Sequence, residues 1–179
     1  MAFYLIELND AAVRVFRDGK LICDSPGVAV IEGNTVITGL EAQSQAHLNP
    51  RAVNNRFWQQ LNELKLPTPQ RHCRHHADLA FHHLTSILSQ IGHPSEAVIS
   101  APGYYQHEQL ALLLGITEAC GLKVMGMVDT SVAAVASCAP QGSYTVADIH
   151  QHRVTLPTVD VGERVRRTAI YCVDHVGTN

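Results

Sequence analysis

The sequence has no apolar run long enough to span a bilayer as a helix, which takes about 20 residues. It opens on Ala2, Phe3 and Tyr4 and reaches Glu7 and Asp10 at once, a start unlike a signal or transit peptide. It also lacks a basic surface. Net charge is −3, and the runs Arg71–Arg74 and Arg164–Arg167 are short enough to read as solvated faces or strand ends, so nucleic acid is not an expected partner. Disulfide patterning is missing too. Cys23, Cys73, Cys120, Cys138 and Cys172 are odd in number and scattered, as in reduced, mostly buried thiols of a cytoplasmic protein. Repeats of solenoid length and low-complexity segments are absent. What remains is the composition of an ordinary globular chain of 179 residues, enough for one core, with eleven histidines that offset the negative charge below about pH 6.5.

The apolar pattern changes period along the chain. Phe3–Leu8, Ala12–Phe16 and Lys20–Cys23 are short β-type runs separated by Asn9-Asp10 and Asp18-Gly19, which predicts an antiparallel meander. Val28–Ile31 and Thr35–Ile37 predict a hairpin around Gly33-Asn34. Helices are expected at Leu40–Ala46, at Arg56–Leu64 before Pro67 and Pro69, and at Ala77–Ile91, where Leu79, Ala80, Leu84, Ile87, Leu88 and Ile91 recur at helical spacing before Gly92. Ala97–Ser100, Gln106–Cys120, Leu122–Val128 and Ser131–Ala136 then alternate strand and helix, the mark of parallel strands with crossovers. Tyr144–Ile149, Arg153–Val159 and Arg164–Val173 predict a second meander. The whole reads as an α/β protein with a ribonuclease-H-like mixed sheet: three antiparallel strands, then parallel ones, with flanking helices.

Four motifs in order resemble the DnaK-type chaperone ATPases. Ala97-Val98-Ile99-Ser100-Ala101-Pro102-Gly103-Tyr104-Tyr105, with Gln109, resembles "AVITVPAYF…Q". Met127 through Ala134 resembles "IINEPTAAA", at the family's spacing from Pro102. Gly39-Leu40-Glu41-Ala42 with Leu48-Asn49-Pro50 resembles "GxxAxxxxxxNP", and Ile6-Glu7-Leu8 with Phe16 and Gly19-Lys20 resembles "IDLGTT…V…GK". The resemblance implies the actin-like ATPase fold, truncated. Residues 1–140 would be its first lobe, with a small inserted subdomain at about 24–75, and 141–179 the opening strands of the second lobe. Asp174 through Asn179 resembles "DTHLGGE", which continues into a helix in the family, so a longer parent chain is expected. A short chain completed by oligomerisation is the alternative, and dimerisation through the truncated strands is a further expectation.

The resemblance also implies a Mg-ATP site in the longer chain, and here the residues depart from the family. Its phosphate loops use glycines so that backbone N–H groups reach phosphate oxygens. The first loop here, Glu7-Leu8-Asn9-Asp10-Ala11-Ala12-Val13, lacks Gly-Thr-Thr and fits a tight turn better. The second, "DLGGGT" in the family, is Asp148-Ile149-His150-Gln151-His152-Arg153. The family's acid falls on Thr130 with Asp129 adjacent, and its lysine falls near Trp58-Gln59, with Arg56 in reach only after a register shift. Glu7, Asp148 and Asp129 are therefore the candidate catalytic carboxylates, and strand-end polarity is the ordinary alternative. Asn9, Asp10, His150, His152 and Arg153 are the candidate nucleotide-binding residues. Two readings follow: a pseudo-ATPase scaffold with protein partners, needing no cofactor in this segment, or an ATP-binding or ATP-hydrolysing chaperone-like protein with a rearranged phosphate site.

Two other groupings carry candidate chemistry. His72 and His76, four apart, with His82 and His83, have metal-compatible spacing, but Arg71 and Arg74 repel a dication and an exposed helix face accounts for them, so no metal is expected. Cys73 lacks an oxyanion loop for nucleophilic work, and Trp58 reads as a packing anchor.

Overall fold

The computed structural model describes residues 2–174 and 176. Of the expected tail motif, the parts at 175 and 177–179 lie outside the described residues. β1 (Tyr4–Leu8), β2 (Ala12–Arg17) and β3 (Lys20–Pro26) form the predicted meander. At the Asp18-Gly19 turn both residues have positive φ, 49° and 78°, the twist that suits a two-residue hairpin. β4 (Ala29–Glu32) and β5 (Thr35–Thr38) make the second hairpin, followed by α1 (Gly39–Gln45) and a single 3-10 turn at Pro50–Ala52. β6 (Val53–Asn54) adds to β4. β7 (Lys65–Gln70) and β8 (Cys73–His75) form a separate ribbon. Then come α2 (His76–Gln90), β9 (Glu96–Ala101), α3 (His107–Ala119), β10 (Lys123–Asp129) and α4 (Thr130–Cys138). The last strands are β11 (Gly142–Thr145), β12 (Asp148–Ile149), β13 (Arg153–Val161) and β14 (Val165–Asp174). No helix among the described residues is long and apolar enough to cross a membrane.

The protein is thus mixed α/β. Its largest sheet has the order β10-β9-β1-β2-β3, with β1, β9 and β10 mutually parallel and the meander antiparallel. Alternation decides which face is buried. Ile6 and Leu8 of β1, Val13 and Val15 of β2, and Ala97, Ile99 and Ala101 of β9 point inward. They meet Leu79, Ala80, Leu84, Ile87 and Leu88 of α2 and Leu113 and Ile116 of α3 in one core. Each fully buried Leu or Ile there contributes roughly 1.5–3 kcal/mol. Asp78 caps α2 by accepting from the Arg74 and His75 amides at 2.6 and 3.0 Å.

Three sequence expectations need correcting. Arg56–Leu64 is not a helix but one turn, closed by Gln60 N–H to the Arg56 carbonyl at 2.8 Å. Phe57, Trp58 and Leu61 are all buried, so the segment is held by packing. A single turn that stops at Asn62, whose side chain accepts from Leu64 N–H, cannot repay helix nucleation. Pro67 and Pro69 are strand residues of the two-stranded ribbon, where an open edge tolerates proline. Finally, the expected strand Tyr144–Ile149 is split into β11 and β12. Opposite the gap β13 carries Pro157, which has no N–H to donate, although its carbonyl still accepts from Val146 N–H at 3.0 Å.

Candidate functional site

The turn after β1 and the loop between β12 and β13 meet directly. The turn is local chemistry: the Asn9 side chain accepts from Ala11 N–H at 2.9 Å, and Asn9 N–H reaches the Ala12 carbonyl at 3.2 Å. Gly27 backs the turn so closely that a Cβ there would overlap the Asp10 carbonyl. Asp10, 1% exposed, turns its carboxylate away from its own hairpin. Its Oδ1 accepts from Gln151 N–H at 2.8 Å and its Oδ2 from His152 N–H at 3.2 Å. The receiving loop is itself closed by His150 N–H to the Arg153 carbonyl at 2.9 Å.

His150 lies between two carboxylates. Its Nε2 is 3.1 Å from Asp148 Oδ2, and its Nδ1 is 3.6 Å from Asp10 Oδ1, beyond hydrogen-bond length. The Tyr104 ring stands edge-on to the imidazole with centroids 5.0 Å apart. Arg153 lies 4.5 Å over that ring's centroid while its Nε donates to Asp174 at 2.5 Å. His152 donates from Nε2 to the Asn55 carbonyl at 3.2 Å. Burial first, then the Arg56 guanidinium, pushes its pKa below the ordinary histidine value, so it is neutral at pH 7. Burial pushes the Tyr104 phenol far up, so it stays protonated.

Asp10, Asp148, His150, His152 and Arg153 are therefore brought together. Asn9 shares the turn, with its side chain spent on Ala11. Glu7 and Asp129 lie elsewhere. Glu7 borders a largely apolar groove of about 290 Å³ with Phe3, Leu5, Phe16, Ala133 and Ala134. Asp129 caps α4, accepting from Ser131 and Val132 N–H at 2.9 and 3.4 Å, and takes the Arg167 Nε of β14 at 2.6 Å. Thr130, where the resemblance puts an acid, donates to the Ala101 carbonyl at 3.1 Å. Tyr104 and the Gln151 amide were not singled out from sequence. Nothing local marks either one, because each acquires its role from a partner distant in the chain.

The histidine run holds structure. His83 is fully buried, which corrects the reading of an exposed helix face. Trp58 Nε1, a donor only, reaches His83 Nδ1 at 2.9 Å, so the proton sits on Nε2 and is donated to Ser25 Oγ at 2.8 Å. That tautomer cannot take a proton from the serine. Burial lowers the His83 pKa to about 3. His82 reaches the His72 carbonyl at 3.3 Å, and His75 sits 3.2 Å from Asp78. Cys73 is buried and its pKa is pushed up to about 11 by burial and then by Asp78, so it is a thiol. Among the described residues no three His, Cys, Asp or Glu side chains are grouped to hold a metal.

A phosphate between the two loops would meet the Asp10 and Asp148 carboxylates and the buried rings of His150 and His152. The amides that would bind it already face Asp10, and like-charge repulsion in a buried setting opposes it. These residues do not fit a nucleotide polyphosphate. No protein-family model matches the chain, and a search of curated proteins finds no match.

Proposed function

We infer that this chain is the first lobe and the opening of the second lobe of a divergent DnaK-type protein with the actin-like ATPase fold. It is a cytoplasmic pseudo-ATPase and acts as a chaperone-related scaffold for protein partners. The four ordered motifs support the kinship, as does a mixed sheet of order β10-β9-β1-β2-β3 followed by a second meander. The observation that carries the loss of hydrolysis is the direct closure of the two loops. Gln151 and His152 amides bond to Asp10, and two buried histidine side chains stand where the family has glycines. Among the described residues β14 pairs with β13 alone, so its other edge is the natural place for a strand of another chain, including a second copy.

Calorimetric titration of Mg-ATP into the intact gene product tests this reading. No heat of binding is expected. Micromolar binding would overturn it in favour of a rearranged phosphate site, with His150 and Arg153 as the first residues to replace.

A further inference from the structure

We propose that the successive amides of Gln151 and His152 form an oxyanion site whose resident ligand is the chain's own Asp10 carboxylate. One N–H approaches each carboxylate oxygen, at 2.8 and 3.2 Å, and adjacent amides converging on one anion make a binding concavity. The turn does not require this. Asn9 closes the hairpin, and the Asp10 side chain bonds to residues 141 and 142 positions away. The surroundings hold an unused donor, since the Tyr104 hydroxyl is buried without a hydrogen-bond partner among the described residues.

Charge selects the ligand class. Asp148 already faces this pocket through His150, 3.1 Å away. A small monocarboxylate in place of the Asp10 side chain restores the same single charge. A phosphate dianion adds a second negative charge beside Asp148 and is disfavoured. Asp10 is thus an autoinhibitory ligand: it keeps outside anions from the amides and latches the turn after β1 to the loop between β12 and β13. The inference rests on these hydrogen bonds and not on the kinship argued above.

The test is formate titration of the full chain carrying Asp10→Ala, at constant ionic strength with chloride as the control. Thermal unfolding and amide nuclear magnetic resonance are the readouts. The unmodified protein should not respond. Asp10→Ala should be stabilised saturably, its unfolding constant falling about elevenfold at formate ten times its Kd. The Gln151 and His152 amide signals should shift, and phosphate should act more weakly. A folded Asp10→Ala protein that responds to formate no more than to chloride overturns the proposal, as does an equal response by the unmodified chain. If the variant does not fold even in formate, the unmodified chain decides. Its Gln151 and His152 amide protons must follow the Asp10 carboxyl carbon through an acid titration, and amides indifferent to that carboxyl overturn the assignment. Mg-ATP binding by the intact protein would remove the pseudo-ATPase reading and leave this one standing, and the reverse holds for failure of the formate test.

Discussion

His83 and His150 are equally enclosed, at 0% and 1% exposure, but their ring nitrogens are met differently. Around His83 both ring nitrogens are paired with neutral groups: Trp58 donates to one, and the other donates to Ser25. Beside His150 stand two carboxylates and the Tyr104 ring that Arg153 covers, while Nδ1 and the Tyr104 hydroxyl go without a hydrogen bond among the described residues. A satisfied neutral network fastens a core. A charged network with unpaired atoms stores capacity for a ligand or a rearrangement. The first ties β3, the Trp58 turn and α2 together; the second joins the five-stranded sheet to the sheet of β11, β12, β13 and β14.

Three perturbations sharpen that contrast. The largest effect is expected from His83→Ala, which opens a cavity and leaves Trp58 Nε1 buried without an acceptor. Urea unfolding should show a loss of about 3–5 kcal/mol. Next is acid. Burial keeps His83 neutral down to about pH 3, whereas a free imidazole takes its proton near 6.5. Below pH 6.5 the unfolded chain therefore binds the extra proton, and stability falls with pH by about 1.4 kcal/mol per unit from this residue. The slope should flatten as pH passes below about 3. Unfolding curves of the His83→Ala protein should lack this component, and an unchanged slope would mean His83 is not the titrating group. The smallest effect is expected from Asp148→Asn. The amide oxygen still accepts from His150, so a loss of about 1 kcal/mol by the same measurement is predicted. A loss as large as that of His83→Ala would erase the distinction between the two centres.

Much of the fold was legible because it is local. The α2 stripe of Leu79, Leu84, Ile87 and Leu88 meets the core as its spacing predicts, and Val13 and Val15 alternate inward against Arg14. Asp18-Gly19 and Gly33-Asn34 turn as their dipeptides suggest. The Arg56–Leu64 segment misled because Phe57, Trp58 and Leu61 serve a core at an irregular turn, where packing overrides period. The ribbon of β7 and β8 was missed because two prolines argue against a strand unless its edge is open. Of the candidate site, Asp10, Asp148, His150, His152 and Arg153 were named from a motif, and the structure does gather them. Glu7 and Asp129 carry the same chemistry on paper but are directed by the strand pleat and by a helix cap to other surroundings.

The sequence by itself determined where most of the strands and helices form and which of their faces are apolar, since both depend largely on neighbours two to four residues away. Only the tertiary structure decided which polar groups share a buried space. Asp10 meets Gln151 and His152 across 141 and 142 residues, and His83 meets Ser25 across 58. No local pattern encodes such pairings. They follow from the packing that brings the turn after β1 to the β12–β13 loop and α2 to β3, and from the cost of leaving any of those groups buried without a partner.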